Sequence, residues 1–223
     1  MTETSLRLEC DGAERLEGVV RGILPALISI ANRTAVVAGA RLHGDKELVR
    51  LLDRGGAIGR LAVQRLGAEA RPVRAILFDK SPQTNWGLGW HQDRTIAVHA
   101  RRDVPGFGPW TVKRGMVHVA PPIELLEGML TIRAHLDDVP PENAPLLIAP
   151  GSHRFGRIAE DGISGVVQAC GVAECLAAAG DVWLYATPIL HASESSRRPG
   201  RRRVLQIDYA SEELPGGLEW LGI

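Results

Sequence analysis

Arg71-Pro72-Val73-Arg74-Ala75-Ile76-Leu77-Phe78-Asp79-Lys80 is the stretch on which the fold turns. Its side chains alternate: Arg74, Ile76, Phe78 and Lys80 leave one face, and Val73, Ala75, Leu77 and Asp79 leave the other, which is the two-residue period of a strand. Upstream the texture differs. Over residues 13–31 the apolar positions Leu16, Val19, Val20, Ile23, Leu24, Leu27 and Ile28 recur every three or four residues and predict a helix, kinked or divided at Pro25. A second helical stretch over 46–66 is interrupted at Gly55-Gly56 and reads equally well as one helix or two short ones. Downstream, strands are expected over 95–100, 117–120, 129–137, 146–149, 165–169, 181–185, 189–193 and 203–209, with 102–127 largely loop.

Helices followed by many short strands imply a mainly β protein with N-terminal helices, a helix-buttressed sandwich or jelly roll. At 223 residues and 24.1 kDa a single domain is expected, with residues 1–70 forming a helical part packed on a barrel built from 71–223. Lysine plus arginine equals aspartate plus glutamate at 26 each, so net charge offers no argument for a nucleic-acid partner. No apolar run approaches the ~18 residues of a membrane span. The segment Met1 to Asp11 lacks the pattern of a secretory signal, and a cytoplasmic location is expected from that. Cys10, Cys170 and Cys175 have no metal-type spacing and read as free thiols.

The chemistry concentrates in Trp90-His91-Gln92-Asp93. On a strand His91 and Asp93 leave one face while Gln92 leaves the other. With His191 about a hundred residues later, they supply two imidazoles and a carboxylate, the set that holds a non-haem Fe(II) on one side and leaves the other open. A His-x-Asp by itself arises easily among seven histidines, and His191, in the apolar run Tyr185 to Ser193, reads alone as a structural histidine. Arg202 lies eleven residues beyond His191 at the start of a strand, where it either clamps a carboxylate through two parallel hydrogen bonds or belongs to a solvated basic turn. Alternation puts Arg202 on the face of Val204 and Gln206, and Arg201 and Arg203 on the other. Arg197, Arg198, Arg201 and Arg203 fit the solvated turn.

Leu77-Phe78-Asp79-Lys80 through Asn85-Trp86 to His91-Gln92-Asp93, then Pro150-Gly151-Ser152-His153, Ala179-Gly180-Asp181-Val182, and His191-Ala192-Ser193 followed by Arg202 together resemble the phytanoyl-CoA dioxygenase family, over roughly residues 70–220. The resemblance implies a double-stranded β-helix, a cupin-like jelly roll, that carries Fe(II), 2-oxoglutarate and O2 to the hydroxylation or related oxidation of a small organic molecule, with release of succinate and CO2. It implies His91, Asp93 and His191 as the catalytic metal ligands and Arg202 as the partner of the distal 2-oxoglutarate carboxylate, with Ser193 a second donor. Asn85 and Lys80 resemble polar residues that reach the co-substrate; read alone, Asn85 is a turn residue and Lys80 a strand-end charge. Pro150 to His153 would shape a turn near the site, with His153 a supporting donor or a cap. Halogenating relatives have a small residue where Asp93 stands, so hydroxylation is favoured. Trp86, Trp90, Phe107, Trp110 and His99 either line a pocket or pack in the core, and no basic patch for coenzyme A is evident outside the arginine run near residue 200. Two other readings stay open: a metal-dependent cupin-like lyase or isomerase, and a non-enzymatic small-molecule binding protein on the same scaffold.

Overall fold

The computed structural model describes residues 5–35, 37, 39–198 and 200–223. Its first elements are α1 (Leu8–Asp11), β1 (Ala13–Leu16), α2 (Leu24–Arg33), β2 (Ala40–Leu42), α3 (Lys46–Leu52) and α4 (Gly59–Leu66). The strand-rich remainder runs β3 (Arg71–Lys80), β4 (Leu88–His91), β5 (Ile96–Val98), β6 (Trp110–Lys113), β7 (Met116–Val119), α5 (Ile123–Glu127), β8 (Leu130–His135) and β9 (Leu146–Ile148). It closes with α6 (Ile163–Cys170), β10 (Ala173–Cys175), β11 (Val182–Ala186), β12 (His191–Ser193) and β13 (Arg202–Ala210).

Six strands form an antiparallel sheet in the order β1-β11-β8-β13-β3-β2, and a four-stranded sheet in the order β10-β9-β12-β4 completes the jelly roll. A third sheet, β5-β7-β6, flanks one mouth of the cavity. The alternation of β3 is realised. Arg74, Ile76, Phe78 and Lys80 border the cavity, while Ala75 and Leu77 pack with Leu27, Ile30, Leu48 and Leu52 of the helices. The same helical layer covers Ile132, Leu184, Leu205 and Ile207 of the neighbouring strands, each side chain contributing roughly 1.5–3 kcal/mol by its removal from water.

Residues 1–70 are less helical than expected. β1 pairs with β11 and β2 with β3, so this segment supplies both edges of the large sheet. The expected helix over 13–31 begins only at Leu24: Pro25 lies in its first turn, where the missing N–H costs nothing, and so it starts the helix instead of kinking it. The interrupted stretch resolves into two helices, α3 being capped by the Asp45 carboxylate, which accepts from the N–H groups of Glu47 and Leu48.

Two further expectations fail. The region 102–127 contains the β6–β7 hairpin and α5, its tight turn placing Arg114 and Gly115 at φ 53° and 79°; Arg-Gly lacks the Asn-Gly signature that announces such a turn. The expected strand at 165–169 lies in α6, whose Ile163, Val166, Val167 and Cys170 pack against Trp90 and Leu190 at helical spacing that the β-branched pair had disguised. In the turn before β11, Gly180 adopts φ 92° against Arg21, and the Asp181 carboxylate accepts from Gly18 N, Ala178 N and Arg15, tying β1 to the sheet. Cys10, Cys170 and Cys175 are free. Among the described residues no helix is long and apolar enough to cross a membrane.

Candidate active site

His91 ends β4 and stands directly across from His191, which begins β12. The two rings lie 4.3 Å apart between centroids. Each Nδ1 meets the carbonyl two residues back, His91 to Gly89 at 2.7 Å and His191 to Ile189 at 3.0 Å. A carbonyl can only accept, so both Nδ1 atoms carry the proton, and both Nε2 lone pairs are left for a metal. Burial, opposed in part by Asp93, pushes His191 down to about 4, so the ring is neutral at physiological pH, as a ligand must be.

Asp93 is two residues on, but the strand has already ended at His91. Gln92 fixes the intervening backbone: its Nε2 donates to Gly156 O and Pro188 O, and its Oε1 accepts from Ile158 N. With Gln92 turned into the protein, one ligand atom from each of His91, Asp93 and His191 comes within 4.8 Å of the others. This donor set fits a divalent iron, with coordination positions left open toward the cavity.

Two buried residues that the sequence reading did not single out position Asp93. Arg74 donates to Asp208 and lies 3.3 Å from Asp93 Oδ2. Gln206 Nε2 donates to the same oxygen at 3.2 Å, and its amide orientation is set from behind, because Oε1 receives Arg133 Nη1 at 2.7 Å and the Tyr185 hydroxyl at 3.3 Å. Burial works against the Asp93 charge, but Arg74, then the two imidazoles and Gln206, hold the carboxylate at about 2.

Beyond the histidines lies a cavity of about 370 Å³. Its inner end collects Lys80, Arg133 and Arg202, all buried, and among the described residues none has a carboxylate within ion-pair distance. Lys80 Nζ donates to Ser193 Oγ and Glu194 O, both at 2.9 Å, and sits over the Trp86 ring. Arg202 donates to Ala144 O and, at 3.4 Å, to Ser193 Oγ, which leaves its Nε unpartnered. Burial, reinforced by Arg202 and then Arg133, pushes Lys80 down to about 7, and burial with Arg133 pushes Arg202 to about 10. His135, also on β8, is driven to about 3 by burial and Arg133 and adds no charge.

His91, Asp93, His191, Arg202, Ser193 and Lys80 therefore meet at one cavity, and Asn85 does not. Its side chain donates to Ser196 O at 3.0 Å and accepts from Ser196 N at 2.7 Å, bracing the chain that follows β12. In the Pro150 to His153 turn it is Ser152 that supports the site, its Oγ accepting from Leu190 N next to His191, while the His153 ring lies against Gly12. Of the aromatic candidates Trp86 borders the cavity; Phe107 and Trp110 pack beside β5 and β7, and Trp90 packs with α6 and lines a second, more open pocket with it. Arg203, expected in a solvated turn, is buried: Asp137 receives its Nε and Nη2 at 2.9 and 2.6 Å. Arg133 is the cavity cation that went unread, because an arginine in Leu-Thr-Ile-Arg-Ala-His looks like the wet side of a half-exposed strand.

Two facing antiparallel sheets around a two-histidine, one-carboxylate centre define the class of jelly-roll metal oxygenases. The chain belongs to the phytanoyl-CoA dioxygenase family, whose model matches residues 40–204. A curated relative is the L-proline trans-4-hydroxylase of Streptomyces griseoviridis, 26% identical, the match covering 88% of this chain and 75% of the relative. The fold is shared with the epimerase SnoN, solved with Fe3+, α-ketoglutarate and nogalamycin RO, at TM-score 0.67 and 16% identity, over 95% of this chain and 88% of that one. It is shared also with EctD of S. alaskensis, solved with 2-oxoglutarate and 5-hydroxyectoine, at TM-score 0.67 and 18% identity, over 100% of this chain and 82% of that one.

Proposed function

We propose that the chain is an Fe(II)- and 2-oxoglutarate-dependent oxygenase that hydroxylates a small organic molecule, with iron on His91, Asp93 and His191. The observation that carries this reading is the junction, in one cavity, of a three-ligand metal site with three buried cations that lack a carboxylate. A keto-diacid spans the two: its 2-oxo acid end suits the open metal positions, and its distal carboxylate suits Arg202, Lys80 and Ser193, with Arg133 beside them. The family supports iron and 2-oxoglutarate, and the named molecules of the relatives support a small-molecule substrate. We place the whole chain in one domain, since β2 and β13 flank β3 in a single sheet.

When bound, the iron and keto acid supply oxidising power, using O2 and releasing succinate and CO2. The protein supplies geometry. His91 and His191, their Nδ1 protons held by carbonyls, present fixed Nε2 atoms; Arg74 and Gln206 hold Asp93 ionised and aimed; the buried cations hold the keto acid in one orientation. Ile76, Phe78 and Leu146 give the cavity an apolar side that excludes water from the reacting C–H bond.

Anaerobic addition of Fe(II) and 2-oxoglutarate to the purified chain is expected to produce the weak visible charge-transfer band of a chelated keto acid. Absence of the band while metal binding is intact would sink the proposal. Succinate release under O2 with candidate substrates, and isolation of the hydroxylated product, separates hydroxylation from lyase, isomerase or epimerase chemistry.

A further inference from the structure

The outer end of the cavity, on the Asp93 side, carries a second set of cations. Arg41 comes from β2, where it pairs in register with Ile76, and Lys113 ends β6; both border the cavity together with Arg74, Asp93 and Arg94. Arg74 is matched by Asp208, and Arg94 donates to Ile158 O. Among the described residues neither Arg41 nor Lys113 has an ion-pair partner, and Arg41 Nε is buried without a hydrogen bond. Burial and the neighbouring Arg74 and Arg114 push the Arg41 guanidinium down, and burial with Arg41 and Arg74 does the same to Lys113, so the positive charge of Arg41 bears on Lys113.

The charge balance gives the sign of what belongs there. Seven cations and one carboxylate border the cavity. Asp208 cancels Arg74, Asp93 cancels one more, and Fe(II) and the keto-acid dianion cancel each other, so the cavity stays strongly positive after both have bound. Asp93 is the one carboxylate bordering the cavity among the described residues, and it is committed to the metal, which leaves nothing to receive a cationic substrate group. At about 370 Å³, near the low end of the ~300–1,000 Å³ usual for ligand sites, the cavity also excludes a bulky reacting portion.

We propose that the molecule oxidised here carries an anionic group, a carboxylate or a phosphate, received by Arg41 and Lys113, so that its reacting carbon lies between them and the His91–Asp93–His191 centre. This rests on the reading of the centre as an iron and keto-acid site. It assigns substrate recognition to β2 and to the β6–β7 hairpin, two elements outside the four-stranded sheet that carries the histidines.

The test uses the full chain loaded with Ni(II), as a redox-silent stand-in, and saturating 2-oxoglutarate, read by the midpoint of thermal unfolding. Matched sets are titrated: small carboxylic acids against their carboxamides and the corresponding amines, and sugar phosphates against the parent sugars. The expected result is added stabilisation by at least one anion, with roughly tenfold or weaker binding of its neutral twin, and a loss of about tenfold in Arg41→Gln and in Lys113→Gln. The stabilisation by 2-oxoglutarate itself should stay within about twofold in both variants, and Lys113, being exposed, reports even if Arg41→Gln folds poorly. Protection by neutral or cationic members equal to that by anions, anion protection seen only without 2-oxoglutarate, no protection by any anion, or unchanged binding in both variants would each overturn the proposal. If 2-oxoglutarate fails to stabilise the Ni(II)-loaded wild type, it is the keto-acid reading that falls.

Discussion

On β13, Leu205, Ile207 and Tyr209 face the helices while Arg202 and Gln206 face the cavity, with Asp208 buried beneath it against Arg74 and Thr131. The two faces differ in what they do for stability. The outer one removes apolar surface from water, and Tyr209 adds a hydrogen bond to Leu52 O at 2.8 Å. The inner one, with Arg133 of β8 and Lys80 of β3, holds like charges together out of water's reach, where Arg133 and Arg202 raise the cost of charging Lys80 and Arg133 that of Arg202. One face folds the protein, and the other gives up part of that stability, as the proposed keto-acid site would require.

The largest expected effect lies on the outer face: Leu205→Ala should lower unfolding stability by about 2–5 kcal/mol, equally with and without 2-oxoglutarate, as denaturant titration would show. On the inner face Arg202→Gln should leave Ni(II) uptake intact but weaken keto-acid binding by about 1.5–3 kcal/mol in calorimetry, an interaction with a charged partner being lost. If it unfolds the chain as Leu205→Ala does, the contrast between the faces is wrong. Lys80→Met should raise the melting temperature of the ligand-free chain, by about 1 kcal/mol or more of stability at pH 6. The sign follows from a folded pKa of about 7, below the ordinary lysine value of 10.5: the folded state binds fewer protons, so wild type carries the full cost below pH 7 and loses it as pH rises toward 10.5. The gain from Lys80→Met should shrink over that window, while binding of 2-oxoglutarate to wild type at pH 8 should take up a proton. Smallest of all, Tyr185→Phe removes a 3.3 Å hydrogen bond to an oxygen already held by Arg133 and should cost under about 1 kcal/mol in keto-acid affinity.

The sequence reveals the outer face far better than the inner one. Alternation in β3 shows which residues share a side, and His91-Gln92-Asp93 shows two candidate ligands, because these signals are local. Arg133, Gln206 and Arg74 stay hidden, since a strand with charges on alternate positions looks the same whether those charges meet water or a cavity. Local pattern also misplaces β1, where apolar spacing reads as helix until pairing with β11 decides otherwise, and the β6–β7 hairpin, whose Arg114-Gly115 turn carries only half of the usual signal. Asn85 misleads in the opposite direction, a polar residue in the right place whose groups are satisfied by Ser196.

The central position of β13 also bears on how the chain is made. β3 and β8 are both neighbours of β13, yet Lys80 pairs with Arg202, so translation at ~5–20 residues per second separates the two strands by roughly 6–24 s. For that interval β3 has β2 on one side and an open row of amide and carbonyl groups on the other, a template for pairing with any neighbouring chain. Arg74 and Lys80, without their β13 partners over that interval, put like charges along the strand, the kind of residue that disfavours pairing of an open edge with other chains.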